Sequence, residues 1–222
     1  MPSGIPNKEK ARARQKYAAG EVGDEELLAV ESASYHTAGT CTFYGTANTN
    51  QMMVEMLGVQ LPGSSFVAPG TPMRDALTRG AVEKLVACTQ SAGSYRPLYD
   101  VVNEKSLVNS IVGLIATGGS TNHSLHIVAV ARAAGIEITW QDMDDISRAT
   151  PLLARVYPNG QADVNQFHRA GGMGYIVHEL RLGGLLNEDV VTIMGEGLDA
   201  YEFSPSLDEK ENAVWVNRIT DS

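Results

Sequence analysis

The chain has 222 residues, is 43% hydrophobic and carries a net charge of −9, which allows a buried core and excludes wholesale disorder. Acidic surface argues against nonspecific nucleic-acid binding, which needs basic groups to displace counterions. Two cysteines make no disulfide framework, no apolar run nears the ~18 residues that span a bilayer, and Met1-Pro-Ser-Gly opens no signal-peptide core.

These features together read as a cytoplasmic protein without membrane or nucleic-acid partner. Anionic small substrates stay open, because a local site can be positive on an acidic protein. In chain order, Lys8 to Tyr17 is basic and rich in helix formers, and Asp24 to Ser32 predicts a second helix with acidic residues in its first turn. A loop of Gly, Thr and Asn follows and contains Cys41. The spacing of Met52, Met53, Met56 and Leu57 predicts a helix over 46–57 that stops at Gly58. Residues 61–70 are turn-rich, with room for one short strand. Thr71-Pro72 is an N-cap followed by proline at the first helical position, and the helix it opens should turn Met73, Leu77, Val82, Leu85 and Val86 inward.

Ser106 is the expected cap of an apolar helix over 107–115, which ends at Gly118-Gly119. Ser120-Thr121-Asn122 starts another helix that Gly135 closes. Residues 136–140 carry a weak strand pattern and 152–157 a second one. A short helix over 142–149 lies between them. Asp163 opens one helix through Phe167, Ile176 and Leu180 to Gly183. Residues 199–213 are acidic and aperiodic, the pattern of a linker or exposed loop, and Ala213 to Val216 predicts a strand. The layout is helix-dominated α/β.

Cys41 is a candidate ligand for a soft metal or an iron–sulfur cluster, or else a small buried residue at a helix start. The amides and hydroxyls of Gly118 to Asn122 form either an anion site or a tight turn with its cap. His123 and His126 share a helical face with no carboxylate or cysteine nearby in sequence, which reads as ordinary partly buried histidine. His36 either polarises Cys41 or caps the preceding helix. His168 and His178 read as solvated or packing residues, and Cys88 as core. Glycines 171, 172 and 174 lie in a helical pattern where each costs about 1 kcal/mol relative to alanine. They imply close packing or a helix interrupted near a site. Without a C-x-x-C spacing, the two cysteines cannot by themselves hold an iron–sulfur cluster or a structural zinc.

Gly39-Thr-Cys41-Thr-Phe-Tyr-Gly-Thr-Ala-Asn-Thr-Asn-Gln51 closely resembles the dihydroxy-acid and 6-phosphogluconate dehydratase family. The likeness continues through Leu61-Pro-Gly-Ser, Asn109-Ser-Ile-Val-Gly, Ala116-Thr-Gly-Gly-Ser-Thr-Asn122, Tyr157-Pro-Asn-Gly and Ala170-Gly-Gly-Met. Phe43-Tyr44, Glu31-Ser-Ala-Ser-Tyr-His36 and Ala162-Asp-Val-Asn look like its 6-phosphogluconate branch. The resemblance implies removal of water from the sugar-acid phosphate 6-phosphogluconate, giving 2-keto-3-deoxy-6-phosphogluconate of the Entner–Doudoroff route. It also implies an iron–sulfur cluster (4Fe–4S rather than 2Fe–2S) held by three cysteines, a nearby Mg²⁺, and a homodimer for the full-length enzyme. Cys41 matches the third cluster cysteine. Ser120, Thr121 and Asn122 match a turn near the substrate. The family's other cluster cysteines, its Asp-Lys pair and its catalytic serine do not occur in these residues.

The expectation is therefore an internal fragment, inactive alone. Residues 1–198 would be the later part of a helix-rich three-layer α/β/α domain. Residues 199–222 would lead to the threshold of a C-terminal β-rich domain. Dehydration of another aldonate or a dihydroxy acid is the alternative within the class, and a non-catalytic remnant with an assembly role is the alternative outside it.

Overall fold

A computed structural model describes residues 4–34 and 41–219. Its helices are α1 (Asn7–Ala18), α2 (Asp24–Ala33), α3 (Thr46–Met56), α4 (Pro72–Ala87), α5 (Leu98–Val101), α6 (Glu104–Ala116), α7 (His123–Ala133), α8 (Trp140–Ala149), α9 (Val164–Arg169) and α10 (Gly172–Leu182). The strands are β1 (Val191–Thr192), β2 (Gly195–Glu196), β3 (Ser204–Leu207) and β4 (Ala213–Val216), which pair as two antiparallel hairpins. The chain is thus helix-rich with small sheets, consistent with part of an α/β domain.

The core forms around α6, which packs on α3, α7, α8 and α10. Leu107, Ile111 and Val112 of α6 meet Met52, Met53 and Met56 of α3 inside one buried cluster. Local chemistry sets the helix starts. Thr71 Oγ1 accepts from Arg74 N at 3.2 Å, with Pro72 at the first position. The start of α6 lies further upstream than Ser106 alone implied. Asn103 caps it and Ser106 is the third helical residue, its hydroxyl reaching back to Asn103 N at 3.0 Å. Thr139 and Asp163 begin α8 and α9 with the same reciprocal pattern.

Five further expectations are corrected. Leu77 is buried, but Val82, Leu85 and Val86 face outward at 58–69% exposure, because no described element covers that side of α4. Residues 136–139 form no ladder, and 152–157 contribute only one parallel bridge, Val156 to Ala162. The Leu153 and Ala154 amides bond instead to the Ala116 carbonyl at 2.8 and 3.0 Å, so they close the end of α6 and do not extend a sheet. Residues 61–70 are turns without a strand. The segment after 198 is docked: Tyr201 is 1% exposed and donates to the Gln60 carbonyl at 3.0 Å, while Trp215 Nε1 donates to the Pro62 carbonyl at 2.9 Å.

The helix expected from Asp163 to Gly183 is broken between α9 and α10, and the glycine cluster shows why. Gly171 adopts φ 118°, which L side chains rarely reach. Gly174 lies so close to the chain after α10 that a Cβ would stand 2.8 Å from the Glu202 carbonyl oxygen. Interruption and close packing therefore occur together.

Candidate functional site

The motifs scattered along the sequence meet at the N-terminus of α3. Asn48, on its first turn, is buried and donates through Nδ2 to the carbonyls of Cys41 (2.9 Å) and Phe43 (2.7 Å), so the loop carrying the thiol is tied to the helix. Cys41 itself is exposed. Tyr44 N donates to the Tyr157 carbonyl at 2.8 Å, and Phe43 stacks edge-on against the Tyr157 ring at 5.3 Å. The buried Tyr44 hydroxyl sits 2.8 Å from Thr117 Oγ1, and burial raises its pKa well above the ordinary phenol value.

The Gly118–Asn122 turn is pinned to the same helix end. Ser120 N donates to Thr49 Oγ1 at 3.0 Å, Ser120 Oγ lies 3.2 Å from Thr46 Oγ1, and Asn122 Nδ2 donates to Thr46 Oγ1 at 2.8 Å. Asn159 of the Tyr157-Pro-Asn-Gly turn donates to the Gly118 carbonyl at 2.6 Å. Thr121 and Asn122 are exposed and Ser120 half-buried, so the turn presents hydroxyl and amide groups to solvent beside α3. His123 is buried with Nε2 3.1 Å from the Thr46 carbonyl, and burial lowers its pKa. Its neighbour His126 is exposed, with ring centroids 5.2 Å apart. His123 is therefore a packed, hydrogen-bonded histidine. His36 lies outside the described residues.

A cavity of about 220 Å³ opens beside Cys41 and is lined also by Asn48, Gln51, Ser65, Arg74 and Asn165. One wall, the Leu61–Ser65 turn, is fixed by Glu55. This fully buried carboxylate accepts from Gly63 N at 2.6 Å, from Ser65 N at 3.1 Å and from the Ser65 hydroxyl. Burial pushes its pKa up to about 7 against the pull of those donors. Arg74 points its guanidinium at the Val67 and Ser64 carbonyls, and burial lowers its pKa.

Composition pointed to none of Asn48, Glu55, Arg74 or Asn165. Two left a local signal. Glu55 is a charge inside a methionine-rich buried helix face. Arg74 is a cation in the first turn of a helix, against the macrodipole.

Cys41 fits as one thiolate donor to a cluster. Cys88 does not join it: it is buried at the end of α4, with Sγ 3.9 Å from the Ile193 carbonyl, and lines a different cavity with Leu61 and Leu77. Among the described residues no three of His, Cys, Asp and Glu come together as a metal site. No described helix is long and apolar enough to cross a membrane.

Residues 3–201 match the family described as dihydroxy-acid/6-phosphogluconate dehydratase, N-terminal. The chain is 55% identical to a phosphogluconate dehydratase of Zymomonas mobilis and 57% identical to one of Pseudomonas aeruginosa, in each case over 97% of the chain and 35% of the relative. It is 56% identical to a phosphogluconate dehydratase of Escherichia coli over 95% of the chain and 35% of the relative. It therefore spans about a third of the length of the curated relatives it matches.

Proposed function

The chain belongs to the dihydroxy-acid/6-phosphogluconate dehydratase family, and from that premise we propose that the protein carrying it dehydrates 6-phosphogluconate to 2-keto-3-deoxy-6-phosphogluconate. The observation behind this reading is 55–57% identity, over 95–97% of the chain, to proteins named phosphogluconate dehydratase. The net reaction removes the C2 proton and the C3 hydroxyl as water, and the resulting enol relaxes to the 2-keto acid. An iron–sulfur cluster (4Fe–4S) and a Mg²⁺ would supply Lewis acidity when bound. Within this chain Cys41 is assigned as one cluster ligand. Its exposure and its tethered loop support that assignment, since a ligand held in place loses little freedom on coordination.

Ser120, Thr121 and Asn122 are assigned to the substrate side, as polar groups held next to the Cys41 loop through Thr46 and Thr49. With one assigned ligand, residues 1–222 alone are expected to be inactive. A cytoplasmic homodimer is proposed for the whole protein. The proposal also keeps residues 1–198 as part of an α/β domain and 199–222 as the passage toward a second domain.

The test is the whole protein purified without air. It should release the 2-keto acid from 6-phosphogluconate, and Cys41→Ser should lose iron, acid-labile sulfide and activity together. Full iron and sulfide in Cys41→Ser would remove the ligand assignment. An iron-loaded wild type that leaves 6-phosphogluconate intact but dehydrates another aldonate or a dihydroxy acid would move the substrate to that alternative.

A further inference from the structure

The cavity at Cys41 continues into a larger one of about 840 Å³, and both are lined by Phe66, Val67, Ala68 and Asn165. The larger cavity carries His168 and Arg169 from the last turn of α9 and Arg218 from just beyond β4. Arg74 stands on the wall of the smaller one. Glu202 is the only carboxylate among the described lining residues, and it is already compensated: Arg181 Nη1 lies 2.6 Å and His178 Nδ1 3.3 Å from its oxygens. Arg169 and Arg218 thus stand on the wall of one cavity in a chain of net charge −9.

His168, Arg169 and Arg218 share the wall of the larger cavity. Burial, and after it the charges of Arg218, Arg74 and Arg169, lower the pKa of His168. Asn165, which lines both cavities, holds the only buried side-chain polar atom without a hydrogen-bond partner among the described residues, its amide nitrogen Nδ2. A buried amide donor left unpaired is costly and calls for an acceptor.

We infer that the larger cavity is an anion site for the phosphate of a sugar-acid phosphate, bound by Arg169, Arg218 and the Asn165 amide. The sugar-acid chain then runs past the shared wall toward Cys41. Guanidinium forks match phosphate oxygens in pairs, and Asn165 supplies a neutral donor where the site narrows. This inference rests on the dehydratase reading for the identity of the anion, though not for the existence of the site.

Calorimetric titration of the 222-residue chain with inorganic phosphate tests it. Saturable binding is expected, weakened about tenfold or more by Arg218→Met and by the isosteric Asn165→Asp, which turns a donor into a repelling carboxylate. Arg12→Met on α1 should leave binding unchanged. Thermal unfolding of each variant checks that it is folded. Adding 6-phosphogluconate should displace phosphate, whereas gluconate should not. Absence of binding, or binding that Arg218→Met and Asn165→Asp leave intact, overturns the site. Arg218-dependent phosphate that 6-phosphogluconate fails to displace overturns its assignment to the substrate. The dehydratase reading is judged separately, by release of the 2-keto acid from the whole protein.

Discussion

Glu55 joins the core to the candidate site. It lies fully buried among the methionines of α3 and anchors the turn that forms one wall of the Cys41 cavity. Its pKa is raised from an ordinary 4.5 to about 7, mainly by burial. A group whose folded pKa is raised stabilises most below its unfolded value, and that contribution is lost as pH rises through the folded one. Stability should therefore fall between pH 4.5 and 7 by on the order of 3 kcal/mol from this residue alone. Glu55→Gln removes this dependence. It also leaves one oxygen where two accept now, so the variant should be less stable at pH 5 by about 1–3 kcal/mol. The gap to wild type should narrow as pH approaches 7 and above. Urea unfolding at a series of pH values measures this, and a gap that widens with pH would contradict the assignment.

At the scale of elements, the break between α9 and α10 gives a direct test. Gly174→Ala adds a methyl group 2.8 Å from the Glu202 backbone oxygen, and neither helix nor carbonyl can yield like a flexible side chain. The intrinsic gain from alanine in a helix is about 1 kcal/mol, but overpacking should outweigh it and give a net loss of about 1–2 kcal/mol, read as a lower melting temperature. A rise would mean that the α10 contact is loose. The helices were largely legible in the sequence, because capping chemistry is local: Thr71-Pro72 and Asp163 identify their own helix starts. The cap of α6 was misplaced because Asn103 and Ser106 belong to one reciprocal motif and either residue alone looks sufficient. Faces and strands were less legible. A periodic stripe on α4 says where apolar groups lie but not which neighbour covers them, and residues 152–157 are extended without a partner strand. In the candidate site, Cys41, Ser120 and Asn122 stand out by their glycine-flanked runs. Asn48, Glu55 and Asn165 do not, since their meaning depends on partners or cavities brought together by folding.

Across the whole molecule, the excess of negative charge must be kept from pushing the structure apart, and Arg181 of α10 does much of this. It meets Glu188 at 2.8 Å, Asp199 at 2.6 Å and Glu202 at 2.6 Å, so one guanidinium ties α10 to the segments on both sides of the β1–β2 hairpin. Hydrogen bonds to these carboxylates, Glu188 first, raise its pKa further above an already basic value. Arg181→Met keeps most of the side-chain volume and removes the charge. Three carboxylates then face one another, on a chain already at −9. Because the group is partly exposed, the expected loss is about 1–3 kcal/mol rather than the larger cost of breaking a fully buried pair. Mutual repulsion of the three carboxylates should account for most of the deficit. Added salt should restore part of it by screening. The loss should also be local, with faster amide exchange over residues 188–202 and little change in α3 or α6, where the core is apolar. The same segment backs the larger cavity through Glu202. Losing Arg181 leaves that carboxylate to compete with the anion, so phosphate binding should weaken in parallel with the exchange. Amide exchange and phosphate titration on Arg181→Met check both, and unchanged protection over 188–202 would mean that Tyr201 and the Ile193 N bond to the Gly58 carbonyl hold the segment without Arg181.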